Sequence, residues 1–387
     1  MTETGPRVLH VLEALEGGTA RHVIDIVRHA RGSVHEVAVP EERRGGLTDR
    51  TAIAQFEAAG AVVHLVPLRR TPWTPGNLVS LARVRRLVSR RDPDVIHTHS
   101  SIGGLVGRVA VVGRHVPRVY TPNGITHVRI GRTMERVLGR LTDRFVAVST
   151  SEAELATSLG LIDASKLVVI PNGVEPTGPE PIDLRGQFGL GPDTPLVGTV
   201  ARLVPQKAPL DLVAAWAIVA AARPDVRFVW IGGGELAAEF DAAVAAAALT
   251  ERLVRIDELP GAAGALGDLD LFTLASIFEG GPYAPLEAMR ANTAVVLTDV
   301  VGSRDAVVDG ESGVLVPAGR PDALAAAVIA LLDDPERRHA IAASGAQRVA
   351  DEFTVTRMGQ RLDDLYLELT TRRHGGARGP ARDRRGR

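Results

Sequence analysis

The chain alternates short runs of β-branched residues with longer stretches rich in Ala, Leu and Arg, almost from end to end. This alternation is typical of βα units, which build a mostly parallel sheet with helices on both faces. It is interrupted once, at 171–195, where Pro, Gly and Asp dominate and periodicity is weak. The sequence therefore predicts an α/β protein of two Rossmann-like domains that face each other across a cleft.

The predicted elements fall into two series. Strands are expected at 7–12, 36–39, 62–65, 95–98, 118–120, 145–148 and 167–170, and then at 196–200, 228–231, 253–256, 271–274, 294–298 and 313–316. Helices are expected at 20–30, 49–59, 75–90, 104–114, 130–141 and 151–159, and then at 209–222, 236–248, 286–291, 321–332, 335–351 and 355–369. We divide the chain into an N-terminal domain (1–175), a linker (176–195), a C-terminal domain (196–370) whose last helix is expected to cross back to the first domain, and a disordered basic tail (371–387).

Composition limits the classes of protein and of site. The chain has no cysteine, which excludes disulfides, thiolate metal sites and a cysteine nucleophile, and which suits a cytoplasmic protein. No apolar run is long enough to predict a transmembrane helix, so any membrane contact is expected to be peripheral, at the inner face. Residues 1–175 carry 23 basic and 17 acidic side chains, whereas residues 176–371 carry 15 and 28.

The segment 278–289 holds the strongest functional signal, the residues FEGGPYAPLEAM. Its two carboxylates, Glu279 and Glu287, lie between a short apolar run and a helical stretch, so we expect them beyond the carboxyl end of a strand, where ligands of open α/β sheets bind. The backbone of Gly280 and Gly281 has no Cβ to keep a ligand away, and carboxylates accept hydrogen bonds from sugar hydroxyls. The pattern indicates a sugar-nucleotide site, although solvated glutamates would have the same spacing.

Two further loops have the residue types of a phosphate site. Arg202 and Lys207 follow the first strand of the second series, where a guanidinium fork and an ammonium could converge on a diphosphate. Lys207 and Lys166 are the only lysines in a chain of 43 arginines. Near the N-terminus, Gly17 and Gly18 stand between a strand and a helix, a typical anion-binding turn. Surface cations and an ordinary tight turn remain the alternative interpretations.

Histidines and an asparagine mark the ends of two strands in the first series. His97 and His99 are two residues apart and point the same way on a strand, but no third metal ligand is evident near them, so cleft-lining or structural roles are favoured over a metal site. Asn123 precedes a glycine in a predicted turn, with His127 shortly after it. We treat the three histidines as candidates for the acceptor side of the site and Asn123 as a possible substrate contact.

A basic row is predicted on one helix of the first series. Its members recur every four residues: Arg132, Arg136, Arg140 and Arg144. Such a row above an apolar stripe is either a solvated helix face or a weak contact for an anionic membrane or a phosphorylated acceptor.

Taken in order, these motifs resemble those of the family 4 retaining glycosyltransferases, which have the GT-B fold. The resemblance runs from about residue 7 to 370, and its most specific part is the Glu-x7-Glu block of Glu279 and Glu287 with the Arg202–Lys207 loop before it. It implies a nucleotide-sugar donor on the second domain, with the diphosphate held by Arg202 and Lys207. Glu287 would accept from the ribose hydroxyls.

The resemblance also implies that Glu279, Gly280 and Gly281 contact the transferred sugar, and that Gly17 and Gly18 reach the phosphate when the domains close. The chain departs from the family at three places. One of them is Ala201, which precedes Arg202 where the family usually has a Gly-Arg pair. Asn123 stands where such enzymes commonly have a histidine, and Asn donates a hydrogen bond but shuttles no proton. Pro282 stands where the family has a residue with an N–H.

We therefore expect a retaining hexosyltransferase that uses a nucleotide diphosphate sugar, with a uridine donor favoured, and with Glu279, Arg202, Lys207 and Asn123 as its catalytic group. The expectation includes no cofactor, no required metal and no nucleic-acid partner. The acceptor stays open among a small natural product, a polysaccharide and a lipid-linked sugar. Two alternatives are a non-catalytic sugar-nucleotide-binding subunit and a nucleotide-sugar epimerase.

Overall fold

The computed structural model describes residues 5–15, 17–40, 50–69, 74–125 and 129–375. These residues divide into two compact units. The first comprises the described residues within 1–148, 153–170 and 356–375, and the second comprises 149–152 and 171–355.

The first unit is built on a sheet of seven parallel strands. The strands are β1 (Arg7–Val11), β2 (Val34–Val39), β3 (Val62–Leu65), β4 (Val95–His99), β5 (Arg118–Thr121), β6 (Arg144–Ala147) and β7 (Leu167–Val169). The helices are α1 (Gly17–His29), α2 (Arg50–Ala58), α3 (Pro75–Arg91), α4 (Ser101–Ala110), α5 (Arg129–Gly139) and α6 (Thr150–Ser158). The strand order is β3-β2-β1-β4-β5-β6-β7.

The second unit has a sheet of six parallel strands. They are β8 (Leu196–Val200), β9 (Arg227–Ile231), β10 (Leu253–Ile256), β11 (Leu271–Leu274), β12 (Ala294–Thr298) and β13 (Val314–Val316), in the order β10-β9-β8-β11-β12-β13. The helices are α7 (Leu184–Gln187), α8 (Pro209–Ala222), α9 (Ala237–Ala246), α10 (Tyr283–Arg290), α11 (Ser303–Ala306), α12 (Pro321–Asp333) and α13 (Pro335–Glu352). The last helix, α14 (Val355–Gly375), follows.

Central strands are buried along most of their length because helices cover both faces of each sheet. All four residues of β11 are buried, for example. In the second unit the core includes aromatic pairs: Trp216 packs on Phe228 with ring centres 5.1 Å apart, and Trp230 packs on Phe240 at 5.0 Å. In the first unit, α14 contributes Leu362, Leu365 and Tyr366 to a core that also contains Val8 of β1.

The predicted α/β class is confirmed, and each predicted strand lies within two residues of an observed one. Helix boundaries differ more, because α4 begins at Ser101 instead of 104 and α14 continues to Gly375. The segment 176–195, interpreted from its composition as a linker, contains α7 and buries Leu184 in the core of the second unit. Residues 376–387 lie outside the described range.

The predicted row of arginines on one helix is wrong. Helix α5 ends at Gly139, so Arg140 lies in the following turn and Arg144 is the first residue of β6. The side chain of Arg136 donates from Nε to the carbonyl of Leu159, and Arg144 pairs with Glu368 on α14 at 2.8 Å. The arginines keep their four-residue spacing beyond the end of the helix, so the spacing alone does not reveal where the helix ends.

Each sheet contains a point where the strand order reverses. The reversal lies between β1 and β4 in the first unit and between β8 and β11 in the second. Loops leave the carboxyl ends of the two central strands in opposite directions at such a point and open a crevice, where ligands of doubly wound sheets bind.

Candidate active site

The Glu-x7-Glu segment and the Arg202–Lys207 loop follow the two strands that flank the reversal in the second unit. Strand β8 leads to Arg202, a short 3₁₀ turn (Pro205–Lys207) and α8, while β11 leads to Glu279 and α10. The two strands are paired in parallel, with Leu271 opposite Val197. Both loops therefore leave the same edge of the sheet, and their side chains meet there.

Glu279 lies at the centre of this site and is only 6% exposed. Its Oε1 forms an ion pair with Lys207 Nζ and accepts a 2.5 Å hydrogen bond from Ser276 Oγ. From the residues that the structure describes, its Oε2 accepts a single long contact of 3.4 Å, from Gln206 Nε2. One carboxylate oxygen is thus saturated, whereas the other keeps lone pairs available for a further donor.

The backbone between the two loops is also tied together. Ile277 donates its N–H to the carbonyl of Gln206 at 2.9 Å, and Gln206 Nε2 donates to the carbonyl of Phe278 at 3.0 Å. Because the loop bearing Lys207 is bound to the loop bearing Glu279, the ion pair is held by the backbone and does not depend on two freely rotating side chains.

Arg202 differs from Lys207 in its surroundings. It is exposed, and its guanidinium has no hydrogen bond or ion pair to any residue that the structure describes. The loop that carries it lies against a run of three glycines after β9, where Leu203 donates its N–H to the carbonyl of Gly233 at 2.9 Å. A Cβ on Gly234 would lie 2.2 Å from the carbonyl oxygen of Leu203, so this contact requires glycine. The backbone of this loop is fixed, while the Arg202 guanidinium makes no contact of this kind with the described residues.

Gly280 and Gly281 continue the Glu279 loop into α10. Asn172 Nδ2 donates to the carbonyl of Gly281 at 2.7 Å, and a Cβ on Gly302 would lie 2.5 Å from the carbonyl oxygen of Gly280. Gly302 also has a φ of +83°, which only glycine adopts at little cost. The carbonyl side of this loop is therefore enclosed by protein.

Glu287 lies in the second turn of α10 and is 7% exposed. The helix begins after Pro282, which makes no side-chain capping bond, so the N–H groups of Tyr283 and Ala284 lack a side-chain cap. The segment 278–289 thus presents two buried carboxylates and the N-terminus of a helix. The carboxylates are able to accept hydrogen bonds from hydroxyl groups, and the helix N-terminus attracts anions.

His97 and His99 are fully buried in the first unit, together with a histidine that the sequence did not single out, His10. Within the part of the chain that the structure describes, these three have ligand atoms within 4.8 Å of one another. The expectation that no third imidazole lies near the pair is therefore wrong, because β1 and β4 are neighbours and His10 stands opposite His97 in register.

A chain of hydrogen bonds fixes the proton positions in this cluster. His35 Nε2 lies 2.8 Å from the carbonyl of Ala30, which only accepts, so His35 Nε2 donates and its Nδ1 accepts from His10 Nε2 at 3.0 Å. His10 Nδ1 then accepts from His99 Nε2, also at 3.0 Å. His99 Nδ1 is left unprotonated, with no partner among the described residues.

His97 uses both ring nitrogens, with Tyr366 Oη at 2.6 Å and Thr121 Oγ1 at 2.8 Å. Burial lowers the pKa of His10, His97 and His99 well below the usual value, so all three are neutral at pH 7. The hydrogen bonds occupy all but one of the six ring nitrogens, which favours the structural interpretation of these histidines over the cleft-lining one.

Three further predicted residues of the first unit lie in the turn after β5 and at the start of α1. Asn123 is in the turn after β5 with a φ of +54°, and its Nδ2 is buried without a hydrogen-bond partner among the described residues. Gly17 and Gly18 are exposed in the first turn of α1, and Gly17 has a φ of +75°. His127 lies outside the described residues.

Sequence reasoning missed several residues of the site in the second unit. Ser276 and Gln206 bind Glu279, and Gly232–Gly234 support the Arg202 loop. The three consecutive glycines after β9 were a usable signal, since glycine runs beyond a strand mark close backbone approach.

No helix among the described residues is long and apolar enough to cross a membrane.

Known proteins resemble this chain over nearly all of its length. Residues 16–177 match the model of Glycosyltransferase Family 4, and residues 182–348 match that of Glycosyl transferases group 1. The D-inositol 3-phosphate glycosyltransferase of Thermobispora bispora is 33% identical over 332 residues, 78% of this chain and 77% of that protein. The UDP-Gal:alpha-D-GlcNAc-diphosphoundecaprenol alpha-1,3-galactosyltransferase of Escherichia coli is 26% identical over 310 residues, 76% of this chain and 80% of that protein.

Solved structures agree on the fold. HepE of Anabaena, crystallised with UDP-glucose, has a TM-score of 0.80 at 21% identity and covers 93% of this chain and 99% of its own. Sucrose-phosphate synthase of Thermosynechococcus elongatus has a TM-score of 0.80 at 19% identity and covers 95% and 100%. With two Rossmann-like sheets, this Glu-x7-Glu site and a relative 33% identical over most of both chains, the protein belongs to the family 4 (group 1) glycosyltransferases of GT-B fold.

Proposed function

We propose that the protein transfers a hexosyl group, with retention of configuration, from a uridine diphosphate sugar to a hydroxyl of an acceptor. The observation that carries this proposal is the ion pair of Lys207 and Glu279, which joins the loops that leave β8 and β11 at the strand-order reversal of the second unit. The uridine donor is supported by HepE, crystallised with UDP-glucose, and by the Escherichia coli relative, named for UDP-Gal.

Arg202 and Lys207 are proposed to hold the diphosphate. A free guanidinium binds two phosphate oxygens as a fork. Lys207 has three N–H donors, of which Glu279 takes one, so the ammonium is able to bridge the carboxylate and a phosphate oxygen. The carboxylate thereby fixes where the ammonium meets the donor.

Glu279 Oε2 is proposed to accept from a hydroxyl of the transferred sugar, because this oxygen keeps free lone pairs while Oε1 is saturated. Glu287 is proposed to accept from the ribose hydroxyls, with Gly280 and Gly281 allowing the sugar close to the backbone. Asn123, with its unsatisfied amide, is proposed as a donor to a bound hydroxyl; it holds the substrate and moves no proton.

In the proposed reaction the bond between the anomeric carbon and the β-phosphate oxygen breaks, and the acceptor oxygen bonds to that carbon on the same face. The acceptor proton passes to the departing phosphate oxygen. Arg202 and Lys207 stabilise the negative charge that develops on the diphosphate, and Glu279 stabilises the positive charge that develops on the sugar ring.

The acceptor is proposed only as a hydroxyl compound, since one relative is named for D-inositol 3-phosphate and another for a diphosphoundecaprenol-linked sugar. A panel of nucleotide sugars, each offered with acceptors of both classes and with a polysaccharide primer, would be analysed by mass spectrometry. A glycosylated product with retained configuration supports the proposal. An epimerised donor without transfer would instead support an epimerase, and binding without any turnover would support a non-catalytic subunit.

Replacement of Lys207 by Ala is expected to weaken UDP binding by roughly 10- to 100-fold, because a charge-assisted hydrogen bond contributes about 1.5–3 kcal/mol. Titration calorimetry with UDP measures the change. Arg320→Ala is the matched control, since it removes an ion-paired cation from an exposed site of the same unit. Equal UDP affinity for Lys207→Ala and Arg320→Ala would refute the assignment of Lys207 to the diphosphate.

A further inference from the structure

A second group of cations surrounds an open cavity in the first unit. The cavity has a volume of about 520 Å³ and is formed by the segments that enter β5, β6 and β7 together with the end of α14. Its charged lining consists of Arg114, Arg118, Arg144 and Lys166 with one carboxylate, Asp143. His115 adds an imidazole.

Two of the four cations are held by carbonyl oxygens instead of carboxylates. Lys166 Nζ donates to the carbonyl of Thr142 at 2.8 Å, and the Arg118 guanidinium donates to the carbonyls of Leu141 and Val111. Carbonyl oxygens hold these heads in place but carry no formal charge. Asp143 accepts from the backbone N–H of Arg118.

Arg144 is the exception among the four cations, because it pairs with Glu368 at 2.8 Å. The Arg144 side chain is 15% exposed and that of Glu368 is 40% exposed, so water screens this pair only in part and Arg144 attracts an anion less strongly than an unpaired cation does.

Two donors at this site lack partners. The Nε atoms of Arg114 and Arg118 are both buried without a hydrogen-bond partner among the described residues. An unmade hydrogen bond from a buried charged group is costly, and buried polar groups in native proteins are nearly always satisfied. An anion bound in the cavity would compensate the positive charge of these two guanidinium groups and so stabilise their arrangement.

The cavity is remote from the crevice of its own sheet. All seven strands are parallel, so the residues that enter β5, β6 and β7 lie at the amino edge, whereas the loops at the β1–β4 reversal leave the carboxyl edge. A strand of four or five residues separates the two edges by roughly 15 Å. The cavity also contains Lys166, one of the two lysines of the chain and the one that the proposed reaction does not use.

We propose that this cavity is a binding site for a phosphate-bearing anion, either a phosphomonoester or a diphosphate. Four cations, two of them held by carbonyl oxygens and one partly paired, surround a concave surface, and arginine forks match the tetrahedral face of a phosphate. The same chemistry is offered by a soluble phosphate ester and by the headgroup of an anionic lipid. All of its lining residues belong to the first unit.

The test measures inorganic pyrophosphate binding by calorimetry on the full chain saturated with UDP, which occupies the donor site. The variant Arg144→Gln/Lys166→Gln removes two charges, while the glutamine amide introduced at position 166 keeps a donor for the Thr142 carbonyl. The matched control is Arg28→Gln/Arg90→Gln, which removes two charges from exposed positions of α1 and α3. The site predicts at least a tenfold loss of pyrophosphate affinity in the cavity variant and less than a twofold change in the control.

A parallel arm separates the two sources of phosphate. Cosedimentation is measured with vesicles of phosphatidylglycerol and phosphatidylcholine in equal parts, and with vesicles of phosphatidylcholine alone. Pyrophosphate binding that depends on the cavity supports a soluble ligand, and binding only to the anionic vesicles, lost in the cavity variant, supports a lipid headgroup.

Absence of binding to both probes, or equal binding by the cavity variant and the control, overturns the proposal. Hydrogen exchange of peptides from β5 and β6 checks that the first unit of the cavity variant is folded, because the proposed UDP site lies in the second unit. If the double variant loses protection there, the single change Lys166→Gln decides the question against Arg28→Gln.

Discussion

Glu279→Gln is expected to lower kcat by roughly 100-fold, a loss comparable to that of a single group that stabilises charge in a transition state. The amide keeps an oxygen for the Ser276 hydroxyl, so the geometry of the loop is retained while the negative charge is lost. That charge matters more when the sugar ring becomes positive than in the ground state, so kcat is expected to fall more than the donor KM rises.

Glu287→Gln is the matched comparison, because Glu287 is a buried carboxylate of the same segment and is proposed to bind the ribose. A ribose contact is equally strong in the ground state and the transition state, so this change is expected to raise the donor KM and leave kcat nearly unchanged. Steady-state kinetics on both variants with one working donor measure the difference. Identical changes in kcat and KM for the two variants, or full activity of Glu279→Gln, would show that Glu279 and Glu287 do not have these different roles.

The sequence predicts the central loops well because their position follows from topology. Strands β8 and β11 are short and mostly apolar and buried, and each is followed by a loop that contains proline and charged residues, with two glycines in the loop after β11. Parallel strands place such loops at one edge, so Arg202, Lys207 and Glu279 could be expected together before any coordinates were known. The ion pair between Lys207 and Glu279 was not expected, because it depends on side-chain direction within a 3₁₀ turn.

The less predictable features depend on contacts between distant parts of the chain. His10 and His97 are 87 residues apart, and they meet because β4 inserts beside β1. Leu184 is buried by the fold of the second unit although its neighbours in sequence are Pro, Asp and Gly. Composition reports the average character of such a segment and does not report which single side chain is buried.

The histidine cluster makes the first unit sensitive to acid. His10, His97 and His99 are neutral in the folded unit because burial lowers their pKa, whereas the unfolded chain protonates them near pH 6.5. Below pH 6.5 the unfolded state therefore binds more protons than the folded unit. The free energy of unfolding is highest above pH 6.5, where the histidines are neutral in both states, and it decreases as the pH falls below 6.5.

The groups that face this cluster do not counteract the effect. His22 on α1 and His35 on β2 would repel further positive charge, and the pKa of His35 is also lowered by burial. Tyr366 on α14 and Thr121 on β5 are uncharged partners, and burial raises the pKa of Tyr366 well above its usual value. Asp363 is the one carboxylate that raises the pKa of His35, and it does so less than burial lowers it.

The free energy of unfolding of the first unit is expected to fall between pH 7.5 and pH 5.5 by an amount on the order of a few kcal/mol, because the unfolded chain takes up protons on the three histidines while the folded unit keeps them neutral. Hydrogen exchange followed by mass spectrometry, corrected for intrinsic rates, reports this for each segment. Peptides from β1 and β4 are expected to lose protection, whereas peptides from β8 and β11 are internal references, because the second unit contains only one histidine, the exposed His339.

His99→Gln tests the cause of the acid sensitivity. The introduced amide is able to donate to His10 Nδ1 as the imidazole does, but it takes up no proton, so the pH dependence of β1 and β4 protection is expected to decrease by about a third. His339→Gln removes an exposed histidine and is expected to leave that dependence unchanged. If protection of β1 and β4 is the same at pH 5.5 and 7.5 in the unaltered protein, the buried histidines are not kept neutral by the fold; if His99→Gln and His339→Gln behave alike, the acid sensitivity arises elsewhere.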